Sequence, residues 1–131
     1  LRLLGGATYV DAEIRQAQNP ANNGRRALGV PRFLVNLDAE VDVPALPGLS
    51  VFGRVLYTSD ANLDFAGEQR VPSWERLDLG ANYRFVAAKR RLTARLAVTN
   101  VLDKNYWIAG TDPHLLLGEP RTVLLSLRVD L

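Results

Sequence analysis

The side chains with the most reactive chemistry are few and scattered. His114 is the only histidine, and it lacks a second histidine or a carboxylate at the spacing of a metal site. Asp38, Glu40 and Asp42 alternate along one segment, where such a row of carboxylates could transfer protons or hold a cation. A simpler interpretation is a hydrated wall that faces arginines, the candidates being Arg54, Arg76, Arg84 and Arg95. Neither a nucleophile elbow nor a phosphate-cradling glycine loop is present, so we predict no catalytic residue, no metal site, no cofactor and no enzyme.

Four residues are candidates for contact with a ligand. Arg25 and Arg26 form a small basic spot among Asn, Gly and Pro, where they could attract an anion or simply be solvated in a loop. Trp107 could stack on a ligand, and His114 lies in the same long connection. The spacing of these four residues in the sequence does not indicate which of them contacts a ligand.

Composition restricts the possible classes of function. We expect a single domain segment over residues 1–131. Sixteen basic and fourteen acidic residues leave a net charge of +2, too small and too interspersed for a nucleic-acid footprint. The absence of Cys excludes disulfides and thiolate metal sites. No stretch approaches the roughly 18 to 20 uninterrupted apolar residues of a membrane helix, so contact with a bilayer would require strands.

Alternating hydrophobicity indicates strands along most of the chain. In 122–131 (TVLLSLRVDL), aliphatic residues at every second position oppose mostly polar ones. Six segments show or approach this pattern: about 3–14, 32–43, 50–58, 76–85, 92–100 and 122–131. The sequence therefore predicts an all-β chain of six strands without a helix.

The connections alternate in length. Those at 44–48 and 87–90 are short, whereas three others are long, at 16–29, 60–72 and 103–120. This order predicts an antiparallel up-and-down meander with all long connections at one end. Bacterial outer-membrane barrels have this asymmetry, with short periplasmic turns and longer extracellular loops. The carboxyl terminus would then lie at the periplasmic end.

Alternation alone fits a soluble sandwich or small barrel as well as a membrane barrel. The length of the strands favours the membrane, because about 9 to 11 tilted residues cross a bilayer, whereas strands are most often about five or six residues long. Six strands cannot close a wide barrel, and an open edge in lipid would leave backbone groups unpaired. We therefore expect a piece of a larger barrel, with upstream residues and any signal peptide missing.

Several motifs resemble one family. Residues 100–107 (NVLDKNYW), 118–122 (GEPRT) and the alternating final strand resemble the last strands of TonB-dependent outer-membrane receptors, particularly siderophore receptors. Residues 30–51 (VPRFLVNLDAEVDVPALPGLSV) are similar to an earlier hairpin of that family, and 71–83 (VPSWERLDLGANY) look like its next strand. The resemblance covers nearly the whole chain in the right order.

The resemblance implies the final six strands of a 22-stranded transmembrane barrel in the bacterial cell outer membrane. The parent would take up ferric siderophore, energised by TonB through an amino-terminal plug that is absent here. Its other partners would be outer-membrane lipid and the barrel-assembly machinery, which reads the last strand. That strand ends here at Leu131, where the family usually has Phe or another aromatic residue.

Four aromatic residues are predicted at the membrane–water boundary: Tyr57, Trp74, Tyr106 and Trp107. Packing at the edge of a soluble core is the alternative, and Trp107 could instead stack on an iron–siderophore. Two other functions also remain open. One is a small soluble β-barrel that binds an apolar ligand, and the other is an oligomeric fragment that pairs through its edges.

Overall fold

The computed structural model describes residues 1–110 and 114–130. The strands are β1 (Arg2–Tyr9), β2 (Phe33–Asp42), β3 (Leu49–Thr58), β4 (Ala61–Asn62), β5 (Arg70–Val71), β6 (Trp74–Ala87), β7 (Arg90–Thr99), β8 (Trp107–Ala109), β9 (Leu115–Leu117) and β10 (Thr122–Asp130), with one turn of 3₁₀ helix at Pro20–Asn22. The predicted all-β class is confirmed. No helix in these two ranges has the length and apolar character that a membrane span requires.

Six long strands form one antiparallel sheet in the order β1-β2-β3-β6-β7-β10. Long strands that follow one another in the chain are neighbours in the sheet, so the predicted up-and-down meander is confirmed. The pairs β4/β5 and β8/β9 are separate two-stranded hairpins within the long connections. Among the described residues the sheet is open, because β1 pairs only with β2 and β10 only with β7.

The limits of two strands differ from the prediction. β1 ends at Tyr9 rather than near residue 14, because residues 12–14 pair with residues 24–27 of the first connection instead of continuing along β2. Beyond Val10 the chain leaves the sheet and pairs with its own connection through a bridge between Glu13 and Arg26. β6 is longer than predicted at both ends.

Both short turns are confirmed and are tight. Ala88 and Lys89 join β6 to β7 with φ of 51° and 61°, the left-handed pair that suits the twist of a two-residue hairpin. Gly48 closes the other turn with φ of 90°, and a Cβ there would overlap the carbonyl of Arg84. The backbone N–H of Arg84 donates to the Gly48 carbonyl at 2.9 Å, so this turn lies against β6.

Strand register divides the sheet into two faces of different chemistry. Asp38, Arg54 and Asp78 lie side by side on three strands, and Leu37, Val55 and Leu77 share the opposite side. The polar face takes the even-numbered residues of β1, β2, β3, β6 and β10 and the odd-numbered residues of β7, which include the apolar Leu4, Leu34, Leu56, Val86 and Leu124; the remaining residues of these strands form the apolar face.

The apolar face has no partner layer in the described residues. Leu125 is 79% exposed and Val123 is 64% exposed. The buried apolar residues of these ranges are Ala61, Val71 and Tyr106, which all lie in the long connections rather than in the sheet. The sheet therefore does not enclose a hydrophobic core of its own.

Candidate functional site

Three long connections meet at one end of the sheet, which we call the mouth end. They are residues 10–32, 59–73 and 100–121, named here the first, second and third long connections. The second contains the β4/β5 hairpin and the third contains the β8/β9 hairpin. The candidate ligand residues all lie in these connections, so their geometry decides what the mouth end can bind.

Asn100 fixes the base of the third connection. It is 1% exposed and has φ of 50°, a conformation that Asn adopts more readily than most residues. Its amide donates to the carbonyls of Lys104 and Glu119, both at 2.9 Å, and its side-chain oxygen accepts the Lys104 N–H at 3.1 Å. Its own backbone N–H donates to the Asp78 carboxylate at 2.9 Å. The side chain of Asn100 therefore joins the two ends of the connection, and its backbone N–H ties them to β6.

Arg76 of β6 adds a charged clamp beside this base. Its guanidinium donates to Glu119 at 2.7 Å and to Asp78 at 3.0 Å, and it reaches the hydroxyl of Tyr106 at 3.4 Å. The side chain of Asp78 is 10% exposed and that of Arg76 is 15% exposed, whereas Glu119 is 64% exposed. The Arg76–Asp78 pair is thus largely shielded from water, whereas the Glu119 side of the Arg76–Glu119 pair is not.

An aromatic stack covers the same base. Tyr106 is 6% exposed and stacks on Trp74 with ring centroids 4.4 Å apart. Gly118 lies directly against the Tyr106 ring, and a Cβ at this position would overlap it. The Gly118 N–H also donates to the Tyr106 carbonyl at 2.8 Å. Glycine is required here because the backbone approaches the ring too closely for a side chain.

The first and second connections are tied to each other. Arg25 donates to the carbonyl of Phe65 at 2.5 Å. Arg26 and Arg70 both face the Asp60 carboxylate, at 3.9 and 3.5 Å. The backbone N–H of Gly29 also donates to the carbonyl of Asn62 at 2.9 Å. Together these contacts join the two connections into one rim.

Charged pairs extend down the polar face from the mouth end. Asp38 pairs with Arg54 at 2.6 Å, and Asp42 pairs with Arg84 at 3.5 Å. Below the mouth end, a groove of about 520 Å³ is lined by both charged and apolar residues, among them Phe52, Arg54, Arg76, Arg95, Ala97, Leu124 and Ser126. No group of three or more His, Cys, Asp or Glu residues that could hold a metal ion occurs in residues 1–110 and 114–130.

Comparison with known proteins identifies this architecture. The sequence model described as "TonB dependent receptor-like, beta-barrel" matches residues 1–101. The chain belongs to the TonB-dependent receptor family. β-Barrels of this family are outer-membrane proteins, and the predicted resemblance is confirmed.

Named relatives of this TonB-dependent receptor segment are receptors. It is 32% identical to the ferrichrome receptor FcuA of Yersinia enterocolitica, over 98% of the chain and 17% of that protein. It is 28% identical to the metal-pseudopaline receptor CntO of Pseudomonas aeruginosa, over 99% of the chain and 18% of that protein.

The fold agrees with solved receptors. BauA, the ferric preacinetobactin receptor of Acinetobacter baumannii, superposes with a TM-score of 0.88 at 33% identity, over 96% of this chain and 19% of BauA. The siderophore receptor PiuA of the same organism gives a TM-score of 0.77 at 26% identity, over 95% of this chain and 19% of PiuA. The chain thus spans less than a fifth of the length of these receptors.

The four candidate ligand residues of this receptor segment are not brought together. The guanidinium of Arg25 is bonded to a backbone carbonyl, and Arg26 is half-buried beside Asp60. Trp107 begins β8 and is 49% exposed. His114 is also exposed. Ligand contact by any of them stays a prediction, and the two arginines have structural roles that the sequence did not reveal.

Two of the four aromatics predicted at the membrane–water boundary contact each other. Tyr106 is buried between Gly118 and Trp74, and Trp74 lies on the polar face opposite Thr58, so the two rings contact each other inside the fold. Tyr57 lies on the apolar face and is 38% exposed. The boundary position of all four aromatics, Tyr57, Trp74, Tyr106 and Trp107, stays a prediction.

Proposed function

We propose that this segment forms part of the barrel wall of an outer-membrane receptor that takes up ferric siderophore by means of TonB. The observation that carries the proposal is the two-faced sheet. An exposed aliphatic face and an ion-paired polar face are the two surfaces that a barrel needs toward lipid and toward a hydrated lumen.

The open edges of the sheet fit a larger barrel. β1 and β10 each have one neighbour among the described residues, and an unpaired edge in lipid costs several kcal/mol for each backbone group. In the proposed parent, further strands of a 22-stranded barrel would pair with both edges. The segment 1–131 would be the carboxyl-terminal part of that barrel. Leu131, the proposed end of the strand read by the barrel-assembly machinery, lies outside the described residues.

The named relatives suggest the class of cargo. They are receptors for ferrichrome, for ferric preacinetobactin and for a metal–pseudopaline complex. A ferric siderophore is the class that two of these three names share. Its capture would occur at the mouth end, where the rim of the first two connections and the clamped base of the third hold the exposed Trp107 and His114.

Uptake of radiolabelled ferric siderophore by cells tests this function. A strain that lacks the full-length gene should lose uptake, and the intact gene should restore it. The same complemented strain without TonB should bind the siderophore but fail to accumulate iron. Uptake that persists without TonB would contradict the energisation. If no panel member, including ferrichrome and a catecholate chelate, depends on the gene, the proposed cargo is wrong.

The structure does not favour a small soluble barrel. Such a barrel would close on itself and line its interior with the apolar face, but the described sheet is open and that face is exposed. The named relatives are receptors rather than enzymes, and we infer no catalysis from the residues that the structure describes.

A further inference from the structure

Four arginines surround one threonine on the polar face near the short-turn end. Register places Arg84 of β6 and Arg128 of β10 on either side of Thr93 of β7. Arg91 and Arg95 lie two residues before and after Thr93, and alternate residues of a strand share a face. We call Arg84, Arg91, Arg95 and Arg128 the arginine ring.

Nearby carboxylates neutralise the ring only in part. Asp42 lies 3.5 Å from Arg84, but it is shared with Arg2 at 3.1 Å. Asp130 lies 3.2 Å from Arg128 and is opposite Arg91 in the register. The remaining carboxylate of this region, Glu40, pairs with Arg2 and accepts a hydrogen bond from the hydroxyl of Ser50. Two carboxylates therefore serve four ring arginines.

Arg95 is held in place without being neutralised. Its guanidinium donates to the side-chain oxygen of Asn82 at 3.3 Å and lies 4.2 Å from the centre of the Phe52 ring. No carboxylate lies within ion-pair distance of it in the part of the chain that the structure describes. Gly80 leaves room for the Phe52 ring, since a Cβ at Gly80 would overlap that ring. The fold thus builds a support for a cation that has no counter-ion.

The ring opens into a groove that can accept a small group. A cavity of about 380 Å³ is lined by three of the four ring arginines, Arg84, Arg95 and Arg128, together with Thr93, Ser126, Ser50, Asn82 and the paired Arg2 and Glu40. Like charges on neighbouring positions of a sheet are destabilising. The planar guanidinium of arginine can donate two parallel hydrogen bonds to the oxygens of a carboxylate or a phosphate. The hydroxyl groups of Thr93 and Ser126, which lie between these arginines, can donate further hydrogen bonds.

We propose that the arginine ring binds an oxyanion, a carboxylate or phosphate group, on the polar face. The site itself stands on the register and the charges, and its position inside a lumen rests on the proposed function. In that setting the oxyanion comes either from a solute or from another part of the same receptor. Both sources present the same chemistry to the ring, so an experiment must separate them.

The test uses the full-length receptor in detergent and inorganic phosphate as the probe. Phosphate binding is measured by calorimetry at constant ionic strength, with chloride as the balancing anion, and thermal unfolding is recorded for each variant. If the site takes a solute, phosphate binds the wild type and Arg95→Gln weakens it about tenfold, since a charge-assisted hydrogen bond is lost. Arg95→Lys, which keeps the charge, and Lys89→Gln, which removes a turn charge outside the ring, should bind nearly as the wild type does.

An oxyanion supplied by the receptor gives a different result. Phosphate then fails to bind the wild type, and Arg95→Gln lowers the unfolding midpoint more than Lys89→Gln does, while Arg95→Lys does not. The proposal is overturned if Arg95→Gln binds phosphate as tightly as the wild type. It is also overturned if phosphate does not bind and Arg95→Gln is no less stable than Lys89→Gln or no less stable than Arg95→Lys. Because no readout requires transport, failure of the uptake assay would leave this result unchanged.

Discussion

Replacing Asn100 by alanine should release the base of the third long connection. The substitution removes three hydrogen bonds that its buried side chain makes, two to Lys104 and one to Glu119. It also places alanine at φ of 50°, where a Cβ is unfavourable and Asn is better tolerated. The strands on either side keep their ladder bonds, so we expect local opening at the mouth end rather than loss of the sheet.

The magnitude follows from these contacts. Each net hydrogen bond contributes about 0.5 to 1.5 kcal/mol, and a buried group left unsatisfied costs about 1 to 3 kcal/mol. Two lost bonds to carbonyls, the Lys104 N–H left without its partner and about 1 kcal/mol for the strained backbone together give about 3 to 7 kcal/mol. Asn100→Gly loses the same bonds but accepts the positive φ, so it should cost about 1 kcal/mol less.

Hydrogen exchange measured on the full-length receptor tests this estimate. A loss of about 3 kcal/mol corresponds to roughly hundredfold faster exchange wherever local opening limits the rate. The amides to follow are those of Asn100, Val101 and Lys104, which donate to Asp78, to Leu77 and to Asn100 itself.

Asn105→Ala is the matched control for Asn100→Ala. Asn105 lies in the same connection and is exposed, and a surface substitution usually changes stability by less than about 0.5 kcal/mol. Equal exchange rates in the two variants would refute the assignment of Asn100 as the fixed point of the connection. If Asn100→Gly were as protected as the wild type, the backbone conformation rather than the side-chain bonds would explain the effect.

Three further predictions concern the faces, the clamp and the rim. Leu125→Arg should destabilise the lipid-embedded receptor by about 2 to 4 kcal/mol if it lies near the midplane, while Leu124→Arg, on the polar face of the same strand, should cost far less. Equal losses of stability in denaturant titrations would contradict the assignment of the two faces. Arg76→Gln should cost about 3 kcal/mol because it leaves a shielded carboxylate unpaired, whereas Glu119→Gln at the exposed pair should cost at most about 1 kcal/mol, and the opposite order in thermal unfolding would contradict the clamp. Trp107→Ala should weaken binding of the ferric siderophore about tenfold, as expected for a lost stacking contact of about 1.4 kcal/mol; an unchanged dissociation constant would argue against ligand contact.

Periodicity was sufficient to find the six long strands, because the two faces of the sheet meet different surroundings. Where a limit differed, the cause was a hydrogen-bond partner elsewhere in the chain. The end of β1 at Tyr9 depends on the first connection, because Ala12 and Ile14 exchange backbone hydrogen bonds with residues 24–27. The strands within the connections are two or three residues long, too short for an alternating pattern to be recognised.

The base of the third connection was harder to predict. The run 100–107 predicts a turn followed by two aromatics, but it does not predict that Tyr106 packs against Trp74 and Gly118, which are distant in sequence. Pattern alone does not place such contacts. One signal was available, since an Asn that follows a strand is a common residue at positive φ and often bonds the backbone that follows it.

The arrangement of the faces implies that this sheet is stable only in its proper surroundings. Burial of apolar surface is the dominant favourable term in folding, yet Leu3, Leu125 and Leu127 are 60% or more exposed. Ladder hydrogen bonds alone contribute only about 1 kcal/mol each, which the entropy of ordering the backbone offsets. In the proposed barrel, hydrocarbon against the apolar face and neighbouring strands at β1 and β10 would supply the missing stabilisation. A lipid-facing exterior would also leave the polar face free to carry charges such as the arginine ring, because stability would not depend on burying that face.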